Sequence, residues 1–341
     1  MTVKSGVLLN AEYEHQHLMT LARLAEELGF DCLWYADERF YRETYTGLAV
    51  CALSTSRIYL GTAVTDPYTR HPALTAVGIA SLDELSVGRA ILGYAAGASG
   101  FRNLGLHPSR STVALREGIY IIRRLLAGEE VTYEGEVISI WDASMKFQTR
   151  PELPIYLAAY GPHNMRLAGE VADGVIIPHC ASPRIFTPQL ELVRQGQETS
   201  GRSIGPEVVV RLDVSVSHNR AAALFQAKVR LVRILWSQYP NIGYLDSHGL
   251  EMPNELDRRL RGAGPFPGGH DLSVFRPFAD AIPDEFVFPI SLAGTAAEVA
   301  RQAKLVIDAG ADHIMAYLLV PEGETIESVM KLYADEVMPK L

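Results

Sequence analysis

The feature that most limits how this chain can fold is a regular alternation of short apolar runs with amphipathic helical stretches. Residues 3–9 read as a strand. Residues 17–28 read as a helix with apolar Leu18, Leu21, Leu24, Ala25 and Leu28, stopped by Gly29. Further strands are expected at 32–36, 59–63, 90–94, 154–159, 174–177, 207–216 and 313–318. Helices are expected at 45–53, 73–85, 113–126, 162–171, 185–199, 221–236, 295–309 and 325–338, with a surface hairpin over 131–140 around Glu134-Gly135. This is the pattern of parallel βαβ units, and eight of them close most simply as a (β/α)8 TIM barrel of class α/β. The 341 residues fit one such domain, 1–341, and a hydrophobic content of 48% supplies its core. The pattern fails over 239–289, which is rich in Pro and Gly around Gly262-Ala263-Gly264-Pro265-Phe266-Pro267-Gly268-Gly269. This irregular insertion after the seventh strand and its helix is expected to hold only short helical pieces and to cover the barrel mouth.

In a barrel, ligands and chemistry gather at the C-terminal ends of the strands. The most informative end lies within YLGTAVTDPYTRHP, residues 59–72. An apolar start gives way to small residues at Gly61, Thr62 and Ala63, then to a polar loop, and Pro72 opens a helix. Small side chains let a flat ligand lie against the main chain. The second strand ends on Asp37-Glu38-Arg39. Neighbours on an extended chain point opposite ways, so one of the two carboxylates faces the pocket. Burial there raises its pKa and lets it donate a proton; the competing reading is an ion pair with Arg39 or Arg42. The fourth strand opens into Ala95-Ala96-Gly97-Ala98-Ser99-Gly100, and the sixth ends around Ile177 to Cys180. After the fifth, Ala159-Tyr160-Gly161-Pro162-His163-Asn164 begins a helix whose free N–H groups attract phosphate, although most such starts bind nothing. His163 and His179 read either as support for an anion or as ordinary loop residues.

Several functions are excluded or left without a starting point. A formal net charge of −9 and the lack of any basic run argue against a nucleic-acid surface. The three cysteines, Cys32, Cys51 and Cys180, are far apart and give neither a disulfide framework nor a zinc site. No His/Cys/Asp/Glu set has metal-ligand spacing, and no nucleophile-elbow motif is present. MTVKSGVLLN runs straight into a strand without signal-peptide architecture, and no apolar stretch is long enough to span a bilayer, so a cytoplasmic protein is expected.

Several pieces together resemble one family: Trp34-Tyr35-Ala36-Asp37, the run from Gly61 to Pro72, Ser81-Leu82-Asp83-Glu84-Leu85-Ser86-Val87-Gly88-Arg89, Leu92-Gly93-Tyr94-Ala95-Ala96-Gly97 and Ala159-Tyr160-Gly161-Pro162. They resemble the luciferase-like superfamily of flavin- and deazaflavin-dependent oxidoreductases, nearest the F420-dependent methylenetetrahydromethanopterin reductase branch. The resemblance implies a barrel with a non-prolyl cis peptide at Ala63-Val64. Asp37, Ala63, Val64, Thr65, Ala96 and Gly97 would line the cofactor, with Ile177 beside them, and Tyr160, Gly161, Pro162 and His163 would hold its phosphate. The chain departs from the branch where Leu8 replaces a glutamate, Ala98 an aspartate and Glu38 a histidine, which implies a drier site and a less polar substrate.

The resulting expectation is an enzyme that uses F420 to transfer a hydride to or from an organic substrate, with Glu38 as leading proton donor and Asp37 beside it. Two alternatives stand: a monooxygenase using reduced FMN and oxygen, and a non-catalytic flavin-binding barrel. Family habit suggests a homodimer through the helices after the second and third strands. No membrane or metal partner is expected.

Overall fold

A computed structural model of the chain describes residues 3–97, 100–241, 243, 245 and 248–341, so Ala98 and Ser99 lie outside the described residues. Internal contacts divide it into two compact units, one comprising Lys4–Pro178 with Gln189–Val209, the other gathering His179–Pro188 and Val210–Leu341.

In the first unit, β1 (Lys4–Leu9), β2 (Cys32–Tyr35), β3 (Tyr59–Thr62) and β4 (Ala90–Tyr94) lie side by side and parallel. An antiparallel hairpin, β5 (Val131–Glu134) and β6 (Ser139–Ala143), stands where the sequence places it. The parallel series then continues with β7 (Ile155–Ala158) on β4 and β8 (Gly174–Pro178) on β7. The connections are α1 (His15–Glu27), α2 (Thr44–Ser54), α3 (Pro72–Leu85), α4 (Ser111–Leu126) and α5 (Pro162–Val171), with α6 (Pro183–Ser200) following β8. The strands read as near-continuous apolar runs because helices cover a parallel sheet. All four residues of β2 are buried, for example.

In the second unit, β9 (Glu207–Val216) is followed by α7 (Arg220–Gln238), α8 (Asn254–Ala263), β10 (Ser291–Gly294), α9 (Ala296–Asp308), β11 (His313–Leu319) and α10 (Ile326–Glu336). Across the chain, the eight strands β1, β2, β3, β4, β7, β8, β9 and β11 alternate with helices, the succession of a (β/α)8 barrel. The alternation in the sequence therefore gives the right fold. It misses β10, a parallel ninth strand lying on Asp213–Val216 of β9. Four residues, Ser291-Leu292-Ala293-Gly294, are too few and too small to show a period.

The 239–289 segment is also better packed than its composition suggests. Leu256 and Leu260 of α8, with Phe275, Ala279 and Ile282 from a 3-10 stretch, are buried with Val232, Leu235 and Trp236 of α7. Trp236 meets Phe275 edge-on at 5.8 Å and tilts against Phe278 at 5.0 Å. The prolines and glycines punctuate the segment, but its aromatic residues anchor it.

At the N-terminal ends of the strands, the first unit is tied through main-chain groups. The Glu26 carboxylate accepts the N–H groups of Ser56, Arg57 and Ile58, which outweigh burial and hold its pKa at about 2. Arg89 donates to the carbonyls of Ala52, Thr55, Ile58 and Ser86. Arg150 clasps the buried Asp83 with two nitrogens, at 2.9 and 2.7 Å.

At the opposite end, β3 crosses onto β4 through a bulge. The register runs Leu60↔Ala90 and Gly61↔Ile91, then resumes at Thr65↔Tyr94. Four steps on one strand face three on the other, the signature of one extra residue. The Ala63–Val64 peptide is cis, at the position the resemblance implies. Thr62 Oγ1 accepts the Gly93 N–H at 2.9 Å and donates to the Gly93 carbonyl at 2.8 Å. A Cβ on Gly93 would stand 2.0 Å from the Thr62 carbonyl oxygen, so only glycine permits this approach. Gly93→Ala is therefore expected to destabilise the protein by about 1–3 kcal/mol, read by urea unfolding; an unchanged midpoint would show that β4 can move away.

Candidate active site

Because β2, β3, β4, β7 and β8 are parallel neighbours, their C-terminal ends lie along one edge of the sheet. Strands spaced 4.7–4.9 Å apart put the end of β3 and the end of β7 about 10 Å from each other. Along that edge Asp37, Glu38, Ala63, Val64, Ala96 and Gly97 are all half-buried, so main chain and small side chains are open to a ligand. Thr65 is fully buried, its N–H bonded to the Gly93 carbonyl and its carbonyl to the Ala95 N–H. Asp37, Glu38, Ala63, Val64, Thr65, Ala96 and Gly97 thus belong to three adjacent strand ends. No large side chain from these positions fills the edge.

Burial pushes the Asp37 carboxyl above the usual carboxylate range. The neighbouring Thr65 hydroxyl opposes the rise, as do Arg39 and Arg70, but Thr65 Oγ1 makes no hydrogen bond of good geometry and burial prevails. A carboxyl raised in this way holds a proton more readily than an exposed one, which suits it to proton transfer.

The sequence gives no hint of what Arg39 does. Arg39 forms an ion pair with Asp66 in the β3 loop, and its Nη1 donates to the Asp37 carbonyl at 2.9 Å. Asp66 is buried and also accepts the N–H groups of Tyr68 at 2.8 Å and Thr69 at 2.9 Å. Arg42 donates instead to the carbonyls of Glu12 and Ala11, beyond β1. Arg70 pairs with Glu43 at 2.6 Å and lies over the Tyr45 ring, 4.8 Å from its centre. Each of these pairs joins different loops, which is why reading neighbours along the chain misses them.

At the end of β7, Gly161 takes φ 79° before Pro162 opens α5, and no side chain caps that helix. Its first-turn N–H groups therefore have no intrahelical acceptor. Tyr160 and His163 are exposed beside it, and Thr112 of α4 donates to the Asn164 side chain at 2.7 Å. An uncapped helix start with exposed polar neighbours fits a phosphate. Ile177, near the end of β8, is fully buried. It can lend shape to a cofactor site but little contact area.

The second unit holds an ionic cluster that sequence reasoning missed. On β9, Asp213 is fully buried, with Arg211 at 2.9 Å and Arg230 of α7 at 3.2 Å. Burial raises the Asp213 carboxyl less than these two guanidinium groups lower it, so it lies well below the usual range. Tyr317 of β11 lies under both, at 5.2 and 5.0 Å. Burial, then Arg211, hold the adjacent His179 down to about 3, against the pull of Asp213; Arg230 and His248 add to the depression. The alternation of Arg211 and Asp213 along a strand is the available signal, hidden among the apolar residues of β9. Among the described residues no group of His, Cys, Asp or Glu side chains is arranged to hold a metal ion.

This cluster makes stability depend on pH in one direction. His179 is neutral when folded but takes a proton below pH 6.5 when unfolded, so its contribution is complete above that pH and declines as pH falls toward about 3. His179→Gln is expected to flatten the loss of thermal midpoint between about pH 6.5 and 4. Parallel curves for the two proteins would show that His179 does not cause it.

Comparison with known proteins agrees with the geometry. Residues 2–313 match the model of the family described as luciferase-like monooxygenase. The chain is 34% identical to a 5,10-methylenetetrahydromethanopterin reductase of Methanolobus tindarius, over 93% of this chain and 94% of that one. It is 29% identical to an F420-dependent glucose-6-phosphate dehydrogenase of Microbacterium testaceum, over 97% and 94%. The structure resembles that of the coenzyme F420-dependent tetrahydromethanopterin reductase of Methanopyrus kandleri, with a TM-score of 0.87 and 26% identity over 99% of each chain. A family model covering most of the chain and relatives named as reductases and dehydrogenases agree: the chain belongs to the luciferase-like monooxygenase family and is an oxidoreductase.

Proposed function

We propose that this oxidoreductase uses F420 to pass a hydride to or from a small organic substrate. The observation that carries the reading is the β3 bulge, where half-buried main chain meets the high-pKa Asp37 on the edge that also bears the uncapped start of α5. The names of the relatives support the choice of cofactor. Ala63, Val64, Thr65, Ala96 and Gly97 hold the ring, with Ile177 shaping the site, and Tyr160, Gly161, Pro162 and His163 hold the phosphate. A deazaflavin supplies or accepts the hydride. Asp37 or Glu38 moves the accompanying proton, and the bulge orients the ring face. Leu8 is buried on β1 and adds no charge, which suits a substrate less polar than a pterin.

The same proposal includes a single functional domain in which 239–289 forms the cover, a cytoplasmic location and a homodimer. No helix among the described residues is long and apolar enough to cross a membrane. Leu74 and Val77 of α3 are 60% and 41% exposed, and Leu53 of α2 is 73% exposed, an apolar face that a second copy would bury.

Titration of the purified protein, followed by ligand fluorescence, is expected to show saturable binding of F420 and weaker binding of FMN; tight binding of FMN alone would replace a hydride carrier with an oxygen-using one. With a substrate in hand, Asp37→Asn is expected to lower turnover by about 10²–10⁴-fold, and full activity would remove it from proton transfer. Leu74→Glu combined with Val77→Glu should convert a dimer to monomers by light scattering, and a variant of unchanged mass would place the interface elsewhere.

A further inference from the structure

We propose that Arg39 is a positioning residue of the cofactor site: its guanidinium fastens the loops after β2, β3 and β4 together and thereby fixes where Asp37 and the Ala63–Thr65 bulge stand. The inference rests on the cofactor reading of that site. The Arg39 side chain is only 10% exposed, and its partner Asp66 is fully buried. Nη1 reaches back to the carbonyl of Asp37, and Nη2 contacts Thr69 Oγ1 at 3.2 Å as well as Asp66. One planar group thus joins the β2 loop to the β3 loop from two nitrogens, a task for a fork and not for a point charge.

The third loop closes over the same group. Phe101, beyond β4, lies with its ring centre 5.4 Å from the guanidinium carbon and meets Tyr68 edge-on at 5.9 Å. Two glycines make room for this arrangement. A Cβ on Gly100 would stand 2.8 Å from Arg39 Cβ, and one on Gly97 would stand 2.4 Å from Phe101 Cζ and 3.2 Å from Asp66 Cγ. Asp66 cannot easily release Arg39 in favour of Asp37, because two N–H groups and the Thr69 hydroxyl hold its carboxylate in a turn. The Asp37 carboxylate is thereby left available to the pocket while its main chain is held.

The test compares Arg39→Lys, Asp66→Asn and the double variant Arg39→Met/Asp66→Leu with the unmodified protein. Each is titrated with F420 and with FMN, and the absorbance spectrum of the saturated complex is recorded. Exchange of the Tyr68, Thr69 and Ala95 amides is measured without ligand. Arg39→Lys and Asp66→Asn are each expected to weaken F420 binding about 10–100-fold and to shift the spectrum of the saturated complex, because the ring no longer meets the same main chain. The double variant should bind no more weakly than the weaker single one, since the two residues act as one unit. Amide exchange should quicken in all three. Binding by Asp66→Asn equal to that of the unmodified protein, or saturated spectra and exchange all unchanged, overturns the proposal. If the unmodified protein binds neither F420 nor FMN, the cofactor reading fails by itself. The exchange measurement then decides the clamp: quickened amides uphold it and unchanged amides overturn it.

Discussion

The arrangement of the candidate site depends on one close approach between main chains, that of Thr62 to Gly93. With no side chain at Gly93, the Thr62 hydroxyl can bond both the N–H and the carbonyl of that residue where the strands lose register. The extra residue on β3 is absorbed there, and the ladder resumes at Thr65. The Asp66 turn and the start of α3 follow directly on that accommodated residue.

Around it the charged groups are shared out with little redundancy. Arg39 is committed to Asp66, Arg70 to Glu43 and Arg42 to carbonyls beyond β1, so each arginine near Asp37 already has work in joining loops. Asp37 is left with burial as its dominant influence. An acid whose proton affinity is set by burial is more sensitive to the closeness of packing than to ionic strength, since screening acts mainly on exposed charges.

Much of the fold is legible in the sequence because it rests on periodicity, which is local. The helix starting at Pro72 and the turn through Gly161-Pro162 are specified by their own residues, and both occur as expected. The site residues fall at strand ends, so the alternation alone brings Asp37, Ala63 and Ala96 to one edge. What the sequence conceals is pairing between loops: Arg39 pairs with Asp66 in another loop, a carboxylate that is buried and already oriented by a turn. The Arg211–Asp213–Arg230 cluster is concealed for the same reason, since Arg230 comes from a helix whose neighbours read as core. Short β10 is missed because four small residues carry no period, and the anchoring of 239–289 because its aromatic residues are scattered among turn formers.

The end of the first unit that faces away from the chemistry is secured by Glu26 and Arg89, which grip chiefly peptide groups, with the hydroxyls of Ser56 and Thr55 as added partners. Peptide groups are common to every amino acid. Arg57, Ile58 and Ala52, held through their peptide groups, could therefore be exchanged over generations without loosening the fastening, whereas Ser56 and Thr55 also bond through their hydroxyls. A scaffold secured largely in this manner leaves its reactive end free to diversify, since most of the fastening falls to one carboxylate and one guanidinium.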